Sequence, residues 1–405
     1  MLNCRVCGAA IKPLMSFGRM PIANGFLTPS QFSEEYFYEL AIAFCEPCGT
    51  LQIVDQPDPG KMFHEEYAFF TRTSKRMVAH FASYAEWALS RFLTRPDPFV
   101  VEIGCNDGAM LENFSRRGIR QLGVEPSANV AAEAERHGIR TVVAFFNLET
   151  ARKIRDRNGP ADAILAANVI CHIPDINGVA RGVAHLLADK GVFIFEEPYL
   201  GAMIHKGSYD QIYDEHVFIF SAQSVKNAFR PHGLELINAL PQTTHGGSMR
   251  YVLARQGAYP VSEEVERAFA NEREQGLTRA ETYEAFRVRC ERSRDELAGL
   301  IRGLRRDGRR VAGYGATSKS ATVLNYCGLG PRDIEFITDT TPIKQNKFTP
   351  GTHIPVRDHD TFAKDYPEYA VLFAWNHEAE ILEKEAGFAL AGGKWVKYVP
   401  DVSIS

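Results

Sequence analysis

The sequence predicts a multidomain α/β protein: a small four-cysteine module, a doubly wound parallel sheet, and a second Rossmann-like α/β domain toward the C-terminus. Three observations carry this. Two CxxC pairs, Cys4–Cys7 and Cys45–Cys48, stand near the start. Short apolar runs alternate with helical patterns from Phe99 to Pro198, and the first run enters a glycine turn. A second strand, glycine turn and helix begin at Arg309. A chain of 405 residues has room for roughly two to three domains. The expected divisions are residues 1–66, 67–260 and 261–405.

The bulk composition narrows the function classes. With 45% hydrophobic and 24% charged residues, the chain has the makeup of a globular protein rather than a disordered one. A net charge of −4 gives no global field for nucleic acid. The basic stretch Arg302–Arg310 is short and reads as the solvated end of a helix. No signal peptide and no bilayer-spanning apolar run is evident, so a cytoplasmic location without membrane contact is expected. Disulfides are not expected in that compartment.

The cysteines of the first module suit another use. Each CxxC pair is followed by a glycine, Gly8 or Gly49, as the tight turn of a zinc knuckle requires. Four thiolates from Cys4, Cys7, Cys45 and Cys48 close a tetrahedral zinc site with no open position, which makes the metal structural. A redox reading is weaker, because neither pair opens a helix after a strand. Cys105, Cys171, Cys290 and Cys327 read as small core residues.

In the middle segment, "DPFVVEIGCND" gives a strand over Phe99–Ile103, a turn at Gly104 to Gly108, and a helix. "QLGVEPS" gives a second strand ending at Glu125, where a carboxylate suits two ribose hydroxyls. Thr141–Asn147, Ala161–Asp175 and Lys190–Pro198 supply the third, fourth and fifth elements. This alternation places a ligand site at the strands' carboxyl ends. The candidate set there is Glu102, Gly104, Asn106, Gly108, Glu125, Phe146, Asn147 and Asn168, with core packing as the rival role for Phe146. The turn lacks the GxGxxG of dinucleotide binding, though an NAD unit stays an alternative.

Residues 262–306 carry a helical stripe of Phe286, Leu297, Leu300, Ile301 and Leu304 that links two domains. "RRVAGYGATSKSATVLNY" then gives the second glycine turn, and the next strand ends at Asp339. Gly315, Thr317, Ser318 and Lys319 offer amides, hydroxyls and an ammonium at a helix start, an expected seat for a substrate's pyrophosphate. Asp339 and Lys344 complete that candidate set. A ligand-free structural repeat is the alternative.

"SYDQIYDEHVFIFS" sets Tyr213, Asp214, Glu215 and His216 before an apolar run. On its own it reads as a solvated loop entering a strand or helix. "HGGSMRYVL" offers His245, Ser248 and Arg250 as pocket residues, or simply a tight hairpin.

Together, "MPIANGF", "VEIGCNDG", "YDEH", "HGGSMR" and "GYGATSKS" occur in an order that resembles the nucleotide-sugar C-3′-methyltransferases of deoxysugar biosynthesis, over essentially the whole chain. The E-x-G-x-x-x-G turn is similar to motif I of class I methyltransferases. The resemblance implies a class I methyltransferase Rossmann-like sheet that binds S-adenosylmethionine, a structural zinc, and a C-terminal domain that helps hold a dTDP-linked 4-keto-6-deoxy sugar. It also implies that Tyr67, His172, Tyr213, Glu215 and His216 surround the reacting carbon, and it gives Asp214 no role. The nucleotide, the group on C-3′ and the stereochemistry stay open, and a monomer is expected.

The chemistry asks for such residues. Carbon is a poor nucleophile, so an enolate must form first, with a base for the C-3′ proton and a donor for the oxygen. Histidine titrates near working pH, and His216 is the expected base. If the stretch is helical, Tyr213 shares its face and Glu215 points away. Tyr213 would then serve the enolate oxygen, Glu215 would orient an imidazole or bind a sugar hydroxyl, and His172 would be a second donor. Rival readings are O- or N-methylation of a small molecule, an NAD-dependent sugar-nucleotide oxidoreductase, and an inactive zinc-bearing scaffold.

Overall fold

The computed structural model describes residues 2–62 and 70–405. Tyr67 lies outside the described residues. The cysteine module is built on a four-stranded antiparallel sheet, in the order Phe218–Ile219, Thr50–Ile53, Phe37–Cys45, Pro13–Pro21. One edge strand thus comes from far along the chain, directly after the Tyr213–His216 stretch. A division at residue 66 therefore cuts across a shared sheet.

The middle sheet has seven strands. Five run parallel: Thr141–Val143, Arg120–Glu125, Phe99–Ile103, Ala161–Ala167 and Leu187–Pro198. Phe99–Ile103 is buried at every position, as a central strand covered on both faces must be. The chain steps to one side of this strand for Arg120–Glu125 and to the other for Ala161–Ala167. That reversal opens a crevice at the carboxyl ends. Ser248–Arg255 adds antiparallel to Leu187–Pro198, and Leu234–Gln242 pairs with it as a hairpin. The third element is shorter than the sequence suggests. Its strand stops at Val143, because Asn147 already caps the helix Leu148–Asn158, its side chain accepting the Thr150 N–H at 2.9 Å.

The linking stripe divides into two helices, Glu263–Glu274 and Ala280–Arg306. Phe286, Leu297 and Ile301 are buried, with Leu300 and Leu304 at the margin. The basic run ends the second helix at the surface, where Arg305 and Arg310 pair with Glu335 and Arg309 with Glu368. The C-terminal sheet orders Val356–Arg357, Ile337–Thr338, Val311–Tyr314, Tyr369–Leu372, Lys394–Lys397 and Ser403–Ile404, all parallel except the last. One apolar core runs through all three segments, from Met15 and Leu51 through Phe195 to Val371. Among the described residues, no helix is long and apolar enough to cross a membrane.

Candidate active site

Residues 208–216 are where the three segments meet. Tyr209–Gln211 forms a single 3-10 turn, and Asp210 within it is fully buried. One Asp210 oxygen accepts the Trp375 indole N–H at 2.6 Å and the Tyr398 O–H at 2.7 Å, both from the C-terminal domain. Thr322 of that domain donates to the Ile212 carbonyl at 2.8 Å. From the cysteine module, the Ala23 N–H lies 3.3 Å from both Asp214 oxygens, and the Asn24 amide donates to Glu215 at 2.6 Å. The "MPIANGF" motif is thereby the grip of the first module on the "YDEH" turn. Asp214, Glu215 and His216 are 0%, 4% and 5% exposed, which overturns the solvated-loop reading.

The stretch is not helical. A turn closes at Tyr213–His216 through the His216 N–H and the Tyr213 carbonyl, at 3.0 Å. It still brings Tyr213 and His216 together: the Tyr213 hydroxyl is 2.8 Å from His216 Nε2. His216 Nδ1 is 2.7 Å from the Gln211 carbonyl, which can only accept. Nδ1 therefore carries the proton, and Nε2 holds the lone pair that receives the Tyr213 O–H. Burial lowers the His216 pKa well below its usual value, with His172 and Lys319 adding to the effect. The neutral ring is the resting form. His172 faces it, with ring centroids 5.3 Å apart and planes 27° apart, and burial lowers the His172 pKa to about 4. Burial and the neighbouring Glu215 push the Asp214 carboxyl up.

His172 lines a cavity of about 390 Å³ at the carboxyl ends of the parallel strands. Gly104, Asn106, Glu125, Phe146, Asn147 and Asn168, all from the expected set, also line it. Gly104 has φ +68°, and a Cβ there would sit 2.4 Å from Val169 Cγ2, so only glycine fits. Glu102 lies at the cavity wall, buried, with its pKa raised by burial and by Asp107 and Glu125. Gly108 does not reach the wall; it turns the backbone where a Cβ would meet Ile139 at 2.7 Å. Each Glu125 oxygen accepts one amide, from Ser127 at 2.9 Å and Asn106 at 3.0 Å, which leaves lone pairs for two hydroxyls. Asn168 Oδ1 is buried at this wall with no partner among the described residues. The volume suits a nucleoside-sized ligand. A ribose-matching carboxylate, a glycine approach and an orphaned polar atom fit S-adenosylmethionine. Thr71, Met77 and Phe81 also line it. Their segment, seated by the Thr71 N–H on Asn106 at 3.0 Å, carries no recognisable motif.

The four N-terminal cysteines converge, with all Sγ atoms within 4.8 Å of one another and Cys4–Cys48 and Cys7–Cys45 each at 3.5 Å. A tetrahedron of about 2.3 Å Zn–S bonds needs edges of roughly 3.8 Å. The Val6 N–H and the Gln52 amide point at Cys4 Sγ, at 3.4 and 3.1 Å, as donors to a thiolate do. Gly8 and Gly49 donate back to the Cys4 and Cys45 carbonyls, closing both knuckles.

The remaining expected residues divide. His245, at φ +52° on the hairpin tip, lines the cavity and is held neutral, burial driving its pKa to about 3. Ser248 and Arg250 do not line it. Ser248 donates to the Thr244 carbonyl at 3.0 Å. Arg250 pairs with Glu196 at 2.5 Å, and its guanidinium lies over the Tyr84 and Trp87 rings at 4.1 and 4.6 Å. The second glycine turn holds several of its own amides within the fold. Its amides at Gly315, Ala316, Thr317 and Ser320 bond to Thr338, Asp339, Gly315 and Thr317, so Asp339 clamps the turn and Thr317 caps the helix. Ser318 stands beside that cap, half-buried. Lys344 donates to the Ala316 carbonyl at 2.9 Å. Lys319 Nζ lies 4.9 Å over the Trp375 ring and 3.4 Å from Asn376 Oδ1, close enough to His245 to act on its charge. Sequence reasoning missed Trp375 and Asp210, because neither sits in a recognisable motif and only the tertiary fold joins them.

Three family models match in series: "Putative zinc binding domain" over residues 4–63, "Methyltransferase domain" over 78–239 and "C-methyltransferase C-terminal domain" over 243–400. The C-methyltransferase NovU of Streptomyces niveus is 35% identical over 404 residues, spanning 98% of this chain and 96% of that protein. This chain belongs to the C-methyltransferase family. It is an S-adenosylmethionine-dependent methyltransferase with a structural zinc module. A ubiquinone biosynthesis O-methyltransferase of Rhodopseudomonas palustris is 27% identical, but over 95 residues only, 24% of this C-methyltransferase and 38% of that enzyme. Among solved structures, magnesium protoporphyrin IX methyltransferase of Synechocystis with bound SAH shares 14% identity at a TM-score of 0.35, covering 44% of this chain and 83% of that one. Nothing about this chain follows from a likeness that loose.

Proposed function

We propose that this enzyme methylates C-3′ of a nucleotide-linked 4-keto deoxysugar, with dTDP as the expected nucleotide, through an enolate. The observation that carries the reading is the Tyr213–His216 pair, whose tautomer is fixed by the Gln211 carbonyl and whose neighbour His172 opens onto the donor cavity. S-adenosylmethionine, bound in that cavity, supplies an electrophilic methyl group. His216 Nε2 takes the proton from the carbon beside the ketone, and Nδ1–H stays anchored on Gln211 as the ring becomes cationic. The Tyr213 O–H turns from Nε2 to the ketone oxygen, which frees the lone pair and stabilises the charge that oxygen gains. Glu215, held by Asn24, accepts a hydrogen bond from the substituent on the sugar, and His172 serves as the second donor. Lys319, set among His245, His377 and Trp375, meets the pyrophosphate. Tyr67 joins this set on family resemblance alone.

The test is incubation with S-adenosylmethionine and a panel of dTDP-4-keto-6-deoxy sugars, with and without a 3-amino group. A product heavier by one methylene, with the methyl on carbon by NMR, is expected. Methylation on oxygen or nitrogen alone would refute the enolate reading.

A further inference from the structure

Glu197 ends the strand Leu187–Pro198, is fully buried, and has no place in the chemistry above. One of its oxygens accepts three consecutive amides, from Val169 at 3.0 Å, Ile170 at 2.7 Å and Cys171 at 3.2 Å. These are the opening N–H groups of the 3-10 turn Ile170–His172, which have no partner inside the turn itself. Its other oxygen is buried, and the Cys171 thiol lies beside the carboxylate. Removing a carboxylate from water for the sake of one short turn is costly, so the turn's placement matters.

What the turn carries is specific. It begins after Asn168, a non-glycine residue at φ +55° on the cavity wall. Val169 fills the space that Gly104 leaves open. It ends with His172, whose ring stacks on His216. We propose that Glu197 is the positioning residue for this turn, holding His172 in register with His216. Burial raises the Glu197 pKa to about 7, so above that pH charge-assisted bonds to three amides hold a backbone that would otherwise relax the left-handed Asn168. A shift of about 1 Å at His172 would then cost about 10²-fold in turnover. The proposal rests on the histidine pair being the reacting end of the site.

The variant is Glu197→Gln, assayed at pH 8, above the raised carboxyl pKa of about 7, so that it keeps the shape and removes the charge. Turnover is expected to fall about tenfold or more, while the Kd for S-adenosylhomocysteine by calorimetry changes no more than about threefold, because Gly104, Glu125 and Phe146 keep their places. Glu197→Asp, which keeps the charge but retracts it by one methylene, should lose a similar factor. Wild-type turnover in the Gln variant would overturn the proposal. So would a fall in turnover matched by equal falls in donor affinity and folded fraction, the mark of a merely structural role. Hydrogen exchange needs neither activity nor a variant: in the wild type the amides at 169–171 should exchange as slowly as those of Ala161–Ala167, and rapid exchange would overturn the proposal. A wild-type enzyme inactive on every keto sugar, yet with these amides protected, would count against the proposed reaction and leave the Glu197 lock standing.

Discussion

Replacing His216 by asparagine removes the lone pair at Nε2 and little else. An asparagine amide can reproduce the N–H that His216 Nδ1 gives to the Gln211 carbonyl at 2.7 Å. The Tyr213 hydroxyl, 2.8 Å from Nε2, loses its acceptor. One lost hydrogen bond costs about 1 kcal/mol, and the missing ring atoms add about as much again. Against a typical stability of about 5–15 kcal/mol the variant folds. The chemical step is another matter. A general base contributes about 10²–10⁴-fold, which is about 2.7–5.4 kcal/mol of barrier. His216 does not line the donor cavity, so S-adenosylhomocysteine should bind with wild-type affinity. Release of S-adenosylhomocysteine under saturating donor and keto sugar measures the rate, and calorimetry measures the donor. Turnover within threefold of wild type would refute the base assignment. A loss of donor affinity equal to the loss of turnover would refute the geometric reasoning.

Other perturbations read other parts of the molecule. Gly104→Ala forces a side chain at φ +68° and a Cβ 2.4 Å from Val169, a strain of about 1–3 kcal/mol that should lower the melting temperature and weaken donor binding; unchanged calorimetry would contradict it. Cys45→Ser should empty the zinc site and lower the soluble yield, and turnover should fall as well, since the module's sheet shares the strand Phe218–Ile219 with the active-site stretch. A zinc-free Cys45→Ser enzyme with full activity by metal analysis and assay would contradict that linkage. The pH profile has a definite sign. Burial lowers the His216 pKa, and Tyr213, Glu215, Asp214, His172, His245 and Lys319 face or surround it, so the neutral, base-competent ring persists below the ordinary value near 6.5. The acid limb of kcat should therefore lie below pH 6.5, and a limb at or above that value would show a solvated base.

The sequence was most informative where a motif is local. Two CxxC pairs with following glycines announce a metal site because the ligands of each knuckle are neighbours in the chain. The Phe99–Ile103 strand, Gly104 and Glu125 were legible for the same reason, each lying within one strand–turn–helix unit. The "GYGATSKS" turn was legible only in part. Its residue types suit an anion, but Asp339 reaches back and takes the Ala316 amide at 2.8 Å, a contact that no spacing rule foresees. Arg250 pairs with Glu196, another contact the sequence does not reveal. Most of the environment of "YDEH" is tertiary. Ala23 and Asn24 lie 191 residues before their partners, and Trp375 lies 165 residues after Asp210. The helical alternative for that stretch failed because a turn, gripped from both sides, satisfies its polar groups without one.

The central claim is that this site takes a proton from the carbon beside a ketone. The direct test is deuterium exchange in D2O, with the dTDP-4-keto sugar and S-adenosylhomocysteine in place of the donor, followed by NMR at C-3′. Wild-type enzyme should wash deuterium into C-3′ without methylating it, and His216→Asn should not do so above the uncatalysed rate. Carbon methylation by the intact enzyme, with exchange at C-3′ undiminished in His216→Asn, would contradict the account.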